Sequence, residues 1–390
     1  MTYKILQGDV LDRLAEFPGG SFHGCLTDPP YALGEKRNMR RATPRESSRG
    51  KAAGFMGMEW DSDIPAVEVW AELLRVLKPG AMLLSFGGTR TYHRLMCNIE
   101  DAGFEIRDCM MWLFGSGWPK SRNIAKAIQE ETGESAKAWS GYGTTLKPAW
   151  EPIIVAMKPT DGTFANNALK HEVAGLNVDG SRVPVSDAAY AKNCSGDRGH
   201  AQDRQRRSGF QMTCGSASDV GRWPANLILD EETAEMLDRQ SGTLTSGANP
   251  TVRHSDKTRN VYGAFEGHKC KPVRGVDSGG ASRFFYCAKA SASERTLADG
   301  TQIDHPTMKP LELTTYLARL IIPPPGGRLV VPFSGVASEM IGAIRAGWGE
   351  VLGIELSPEY CEMAERRIRD QAPLFHAAYV AERGRTCEQP

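Results

Sequence analysis

Thr27-Asp28-Pro29-Pro30-Tyr31 follows directly on the apolar stretch Phe22–Leu26. A carboxylate, two prolines and an aromatic ring at a strand's end suit a site that grips a flat, amine-bearing ring. The prolines fix φ and remove two backbone donors, so the turn is stiff and its carbonyls face outward. Asp28 can accept a hydrogen bond from an exocyclic amine, and Tyr31 offers a face for stacking. Taken alone, the five residues read equally well as an Asp-Pro turn beside a core tyrosine.

A second constellation lies near the other end. Val330-Val331-Pro332-Phe333-Ser334-Gly335 ends a strand and opens a helix, and the next strand ends at Ile354-Glu355-Leu356. A small-residue turn at a strand's carboxyl end lets a ligand approach the backbone. An acidic residue about 20 residues on, at the end of the following strand, is placed to bind ribose hydroxyls. Glycine turns between strand and helix are common, so this is a weak nucleotide-site signal by itself.

Alternating strands and helices must position both groups. The spacing predicts strands at Tyr3–Gln7, Phe22–Thr27, Met82–Phe86 and Phe104–Leu113. Helices are expected at Leu11–Glu16, Ala66–Leu77 (stopping at Lys78-Pro79-Gly80) and Tyr92–Ala102. The last part repeats the style, with helices at Pro310–Leu320, Glu339–Ala346 and Pro358–Arg369 around strands Arg328–Val331 and Glu350–Glu355. This alternation argues for an α/β fold with a doubly wound, mainly parallel sheet. From Pro159 to Ser282 periodicity fades and Gly, Ser, Asn, Asp and Arg dominate. That stretch is too long for a simple loop, so an inserted module is expected there. The expected division is 1–158, an insert at 159–282, 283–372, and a peripheral tail at 373–390.

Composition narrows the class. The 390 residues are 41% apolar and 24% charged, ordinary for a globular protein, and the net charge is zero. A polyanionic partner must therefore be met by local basic surface. Nine scattered cysteines with no C-x-x-C pair argue for reduced thiols in a cytoplasmic protein, with no metal site expected. No apolar run is long enough to span a bilayer, so no membrane is expected.

Several ordered strings together resemble the β group of DNA amino-methyltransferases, which methylate adenine N6 or cytosine N4. Asp28-Pro29-Pro30-Tyr31 comes first, then the irregular insert, then His305-Pro306-Thr307-Met308-Lys309-Pro310, then Pro332-Phe333-Ser334-Gly335. Gly8-Asp9-Val10-Leu11 resembles the family's segment near the cofactor adenine. Trp150-Glu151-Pro152-Ile153, Arg222-Trp223-Pro224-Ala225-Asn226 and Phe285-Tyr286-Cys287-Ala288-Lys289-Ala290 also look like strings of related methylases.

The resemblance implies a Rossmann-like class I methyltransferase with a mixed, mainly parallel sheet and a target-recognition region in the insert. It implies S-adenosylmethionine as cofactor and double-stranded DNA as partner. Asp28, Pro29, Pro30 and Tyr31 would be catalytic. Asp9, Val10, Asp28, Lys309, Pro332, Phe333, Ser334, Gly335 and Glu355 would hold the cofactor. Family usage of Asp before the prolines points to adenine N6. The alternatives are cytosine N4, or a non-catalytic DNA-binding protein on a decayed methylase scaffold. A homodimer and a restriction partner both stay open.

One departure motivates the decayed reading. The family usually has Asp-Pro-Phe-x-Gly-Ser-Gly-Thr at the cofactor turn, where this chain has Val331, Val336, Ala337 and Ser338 at the first, sixth, seventh and eighth places. Valine cannot hydrogen-bond the cofactor, and Ala337 adds a Cβ where the backbone should approach it.

Lys36–Lys51 is basic and follows Tyr31, so Lys36, Arg37, Arg40, Arg41 and Arg45 are expected to contact DNA phosphates. Arg204, Arg206 and Arg207 form a second basic cluster in the insert. Trp60, Trp112, Trp118 and Trp223 are expected in core or loop packing, and the histidines show no metal spacing.

Overall fold

The computed structural model describes residues 2–32, 63–119, 121–184, 221–246, 277–289, 291–303, 308–324 and 326–373. Strands β1 (Thr2–Gln7), β2 (Phe22–Thr27), β3 (Leu77–Phe86), β4 (Glu105–Leu113), β5 (Trp150–Met157) and β6 (Leu227–Asp230) belong to one nine-stranded sheet. β7 (Leu244–Ser246) and β8 (Asp277–Gly279) form a separate two-stranded sheet. The large sheet is completed by β9 (Tyr286–Ala288), β10 (Arg328–Pro332) and β11 (Glu350–Glu355), in the order β1-β11-β10-β2-β3-β5-β4-β6-β9.

The described helices of six residues or more are α1 (Val10–Ala15), α2 (Val67–Val76), α3 (Tyr92–Asp101), α4 (Ile124–Thr132), α5 (Phe164–His171), α6 (Glu231–Ser241), α7 (Leu311–Ile321), α8 (Ser338–Ala346) and α9 (Pro358–Gln371). The chain divides into two compact units. One comprises Met1–Asn177, Asn226–Thr233 and Cys287–Pro390; the other comprises Val178–Ala225 and Ala234–Tyr286. In the second, β7 pairs antiparallel with β8, and Phe284 lies 5.2 and 4.3 Å from the guanidinium groups of Arg222 and Arg283.

From β1 to β3 all neighbours are parallel, while β5 runs antiparallel to both β3 and β4. The sheet is thus mixed and mainly parallel. Strands such as β3 and β10 are near-continuous buried apolar runs, the pattern of a sheet covered on both faces. Trp70 of α2, Tyr316 of α7 and Trp348 are buried. The indole of Trp70 donates to Pro65 O and that of Trp348 to Ala318 O, so neither polar atom is stranded.

Two local expectations change. The helix ends before Lys78-Pro79-Gly80 as expected, but β3, expected from Met82, already opens at Leu77 and includes that tripeptide, with a shift in register against β2 between Phe22 and Gly24. Proline is tolerated at such a strand start beside a bulge. Strand β5 is not among the expected elements, yet Ile153–Met157 is a buried apolar run in the middle of the sheet. Pro152, near its start, has no N–H to give, but its carbonyl accepts from Gly87 N at 3.0 Å.

The topology sets the site. From β2 the chain moves to β3 on one side, whereas β10, β11 and β1 lie on the other. The carboxyl ends of β2 and β10 therefore adjoin where the strand order reverses, the place where open α/β sheets bind ligands. Thr27 Oγ1 donates to Pro332 O at 2.6 Å and ties the two ends together. Among the described residues, no helix is long and apolar enough to cross a membrane.

Candidate functional site

Asp28 follows the last residue of β2, and its carboxylate is already engaged. Oδ1 accepts from the Tyr31 hydroxyl at 2.6 Å, and Oδ2 accepts from Lys309 Nζ at 2.8 Å. Glu151, on β5, joins the group: its Oε2 lies 3.3 Å from Lys309 Nζ and 3.2 Å from the Tyr31 hydroxyl. Lys309 is only 4% exposed. Burial alone would lower its pKa, but the charges of Asp28 and Glu151 and the bond to Asp28 outweigh it and hold the ammonium above its ordinary value. Tyr31 is pushed well up, first by its burial and then by the same two carboxylates, so it stays a neutral donor at physiological pH.

The Tyr31 ring, expected to offer a stacking face, is 8% exposed. Lys309 Nζ lies 5.2 Å from its centre and 4.9 Å from that of Phe86. The backbone is fixed too, with Thr91 Oγ1 donating to Tyr31 O at 2.7 Å.

Asp28 and Lys309 also border a cavity of about 530 Å³, whose far wall is the turn after β10 and the end of β11. Three residues of that turn have left-handed backbone: Phe333, Gly335 and Ala337, with φ of 56, 48 and 68°. Glu355 fastens it, accepting from Gly335 N through Oε2 and from Ser357 N through Oε1, each at 2.8 Å. Burial raises the Glu355 pKa, opposed by the amides of Ser357, Gly335 and Leu356. Among the described residues, two buried polar atoms of the cavity lining have no hydrogen-bond partner, Ser334 Oγ and Glu339 Oε1.

The cavity brings together Asp9, Val10, Asp28, Lys309, Phe333, Ser334, Gly335 and Glu355 of the cofactor candidates. Asp9 also caps α1, accepting from Leu11 N at 2.9 Å. Pro332 is not in the cavity wall; it is the partner of Thr27. Of the catalytic candidates, Asp28 and Pro30 line the cavity, while Tyr31 lies behind Asp28. Ala337 is fully buried and outside the cavity wall, so the expected crowding by its Cβ is not seen; its burden is a left-handed backbone that glycine would adopt freely. Val331 is fully buried within β10.

Lys36, Arg37, Arg40, Arg41, Arg45, Arg204, Arg206, Arg207 and Trp60 lie outside the described residues. Trp118 and Trp223, expected in packing, are 81% and 67% exposed, and Trp223 has the Arg182 guanidinium 5.3 Å from its ring. Trp112 packs against Phe114 as expected, with ring centres 5.2 Å apart. No group of three or more His, Cys, Asp or Glu side chains that could hold a metal occurs among the described residues.

Sequence reasoning missed Glu151 and Glu339 as site residues. Glu151 belongs to the methylase-like string Trp150-Glu151-Pro152-Ile153, and its only signal of a role is a charge beside an apolar strand. Glu339 lies in the first turn of α8, where an acidic residue is ordinary.

The chain is similar to the type II methyltransferase M.HindIII of Haemophilus influenzae, with 28% identity over 200 residues, 44% of this chain and 64% of that one. It is also similar to YubD of Escherichia coli (strain K12), 34% identical over 103 residues, 26% of this chain and 39% of that one. It thus spans less than two thirds of either relative. Among solved structures, M1.HpyAVI aligns at 10% identity and TM-score 0.42, covering 94% of this chain and 98% of that one. The cytosine-N4-specific PvuII DNA methyltransferase aligns at 14% identity and TM-score 0.44, covering 97% and 92%. The Asp28 turn, Lys309 and the Phe333–Gly335 turn all fall within residues 22–366, which match the DNA methylase family of N6 and N4 enzymes, and the chain belongs to that family.

Proposed function

We propose that this chain moves a methyl group from S-adenosylmethionine to the exocyclic amine of a base in double-stranded DNA, with adenine N6 as the target. The observation that carries this is one cavity bordered by Asp28 at the end of β2 and by Gly335 and Glu355 at the ends of the neighbouring strands. Its wall suits the cofactor. Glu355 keeps lone pairs for ribose hydroxyls after binding two amides, and Ser334 Oγ and Glu339 Oε1 lack the donors or acceptors that the cofactor carries. When bound, the cofactor supplies a sulfonium methyl whose bonding pair leaves with sulfur.

The chain's residues do the rest. A base inside a duplex cannot reach Asp28, so it must flip out at a cost on the order of a few kcal/mol. Stacking on Tyr31 would return roughly 1–3 kcal/mol once the base reaches its ring, which is 8% exposed. Asp28 and the Pro29 carbonyl accept the two amine hydrogens, draw the nitrogen towards tetrahedral geometry and free its lone pair for attack. Asp28 stabilises the positive charge that develops on nitrogen and is placed to take the proton shed afterwards. Lys309 and the Tyr31 hydroxyl fix the orientation of its carboxylate.

Glu355→Ala should weaken S-adenosylmethionine binding. Charge-assisted bonds of this kind contribute roughly 1.5–3 kcal/mol, so the dissociation constant should rise about tenfold or more by calorimetry. An unchanged constant would remove Glu355 from the cofactor site.

The choice of adenine rests on Asp28 standing before the prolines. Mass spectrometry of digested product DNA should find N6-methyladenine, and N4-methylcytosine as the main product would reverse it. Target recognition is assigned to 159–282. Phosphate binding is assigned to Lys36, Arg37, Arg40, Arg41 and Arg45, with Arg204, Arg206 and Arg207 in the second cluster. Neutralising Arg37, Arg40, Arg41 and Arg45 together should shrink the slope of log affinity against log salt by about 0.9 for each DNA phosphate that no longer meets a cation. An unchanged slope would make the segment a solvated one.

A further inference from the structure

We propose that Glu339 receives the α-ammonium group of S-adenosylmethionine, holding the amino-acid end of the cofactor with a buried carboxylate. This rests on the proposed use of that cofactor and extends it to a residue that the family resemblance did not mark. Glu339 is 3% exposed and lines the cavity, yet its Oε1 has no hydrogen-bond partner among the described residues. A buried acceptor left in this state is costly, so a site that keeps one is built around an absent donor. The nearest fixed cations do not satisfy it. Lys309 Nζ is committed to Asp28 and Glu151; Arg367 Nη1 donates to Val336 O and Ser338 Oγ at 2.9 and 2.8 Å, and its Nε and Nη2 make no hydrogen bond to Glu339 Oε1 among the described residues.

The cofactor brings two cations to this cavity. The sulfonium has no hydrogen to donate, whereas the α-ammonium has three N–H groups. The position agrees. Ribose hydroxyls are assigned to Glu355, and the methyl must point at Asp28. The amino-acid arm then lies at the Asp28 end of the cavity, and Glu339 is at that end, since Asp28 and Lys309 are the charged groups that bear on it most.

The electrostatics add a signature. The Glu339 carboxyl is pushed up to about 7, first by burial and next by the charge of Asp28, against the pull of Lys309 and Arg367. Those are the charged groups facing it, from the end of β2, the segment before α7, and α9; Arg367 is in turn flanked by Glu294, Arg295 and Arg345. An ammonium seated on Glu339 favours the carboxylate and lowers its pKa in the complex. Near neutral pH, binding should therefore expel a proton from part of the population. Affinity should rise as pH increases towards about 7, below the range in which a free α-ammonium itself loses its proton.

The test is calorimetry of the wild-type chain and Glu339→Gln with S-adenosylmethionine, S-adenosylhomocysteine and 5′-methylthioadenosine. The second ligand keeps the ammonium without the sulfonium charge, and the third has neither. Glu339→Gln should bind the first two on the order of tenfold more weakly, the loss expected for a charge-assisted bond, and bind methylthioadenosine as wild type does. In two buffers of different ionisation enthalpy, wild type should release protons with S-adenosylhomocysteine but not with methylthioadenosine. That arm needs no variant and stands even if Glu339→Gln folds poorly.

Equal affinity of wild type and variant for S-adenosylhomocysteine would overturn the assignment. So would equal losses for all three ligands, or proton release indifferent to the amino-acid arm. A loss confined to S-adenosylmethionine would move the carboxylate to the sulfonium and overturn it as well. A wild-type chain that bound none of the three would fail the cofactor reading itself, a result distinct from any of these.

Discussion

Asp28→Ala should bind S-adenosylmethionine and DNA almost as the parent does and turn over far more slowly. The carboxylate does its work as charge appears on the amine nitrogen, so its loss falls on the transition state more than on either bound ligand. Removing one preorganised group that stabilises developing charge costs on the order of 10²–10³-fold in turnover. Asp28 also helps bend the amine out of conjugation, which places the expected loss at or above that range. The fold should survive, because Glu151 remains within 3.3 Å of Lys309 Nζ and 3.2 Å of the Tyr31 hydroxyl. Single-turnover kinetics alongside DNA titration would check the split. Near-parental turnover would end the mechanism, and an equal fall in DNA affinity would make Asp28 a binding residue.

Lys309→Met should cost both stability and activity. In the parent, one ammonium answers two carboxylates, with Lys309, Asp28 and Glu151 side chains 4%, 12% and 25% exposed. Removing the cation leaves Asp28 and Glu151 facing one another without it. Breaking a buried ion pair from one side costs roughly 3–5 kcal/mol, and the partial exposure of both carboxylates argues for the lower end, about 3 kcal/mol. The sign with pH follows from the raised Lys309 pKa. Its contribution is complete below the ordinary value of 10.5 and is lost only as pH climbs through the higher folded value. The deficit of Lys309→Met should therefore be fully present at neutral pH. Urea unfolding at pH 7 reads it, and a midpoint equal to the parent's would show the ion pair to be energetically idle.

What the sequence discloses depends on whether the signal is local. The β10 turn, Glu355 at the end of β11 and the Asp28 turn are each written in consecutive residues, and the fold brings them to one cavity. The parallel part of the sheet is legible because its short apolar strands alternate with helices of clear apolar spacing. β5 escapes because Pro152 interrupts the run and its neighbours, β3 and β4, are far away in sequence. Glu151 escapes for the same reason: it acquires a role only when β5 is inserted beside β3 and carries it to Lys309 and Tyr31. The burial of the Tyr31 ring is equally hidden, since Lys309, which the fold brings over it, lies 278 residues on. Ala337 looks like an obstacle to the cofactor in the string of letters, and the fold directs it into the interior instead.

Incubating the purified chain with methyl-labelled S-adenosylmethionine and mixed-sequence duplex DNA, then digesting the DNA to nucleosides for mass spectrometry, tests the central claim most directly. Label should appear on an exocyclic amine, as N6-methyladenine, and should vanish with Asp28→Ala. DNA that carries no label on any exocyclic amine, from a chain shown by calorimetry to bind the cofactor, would contradict the account.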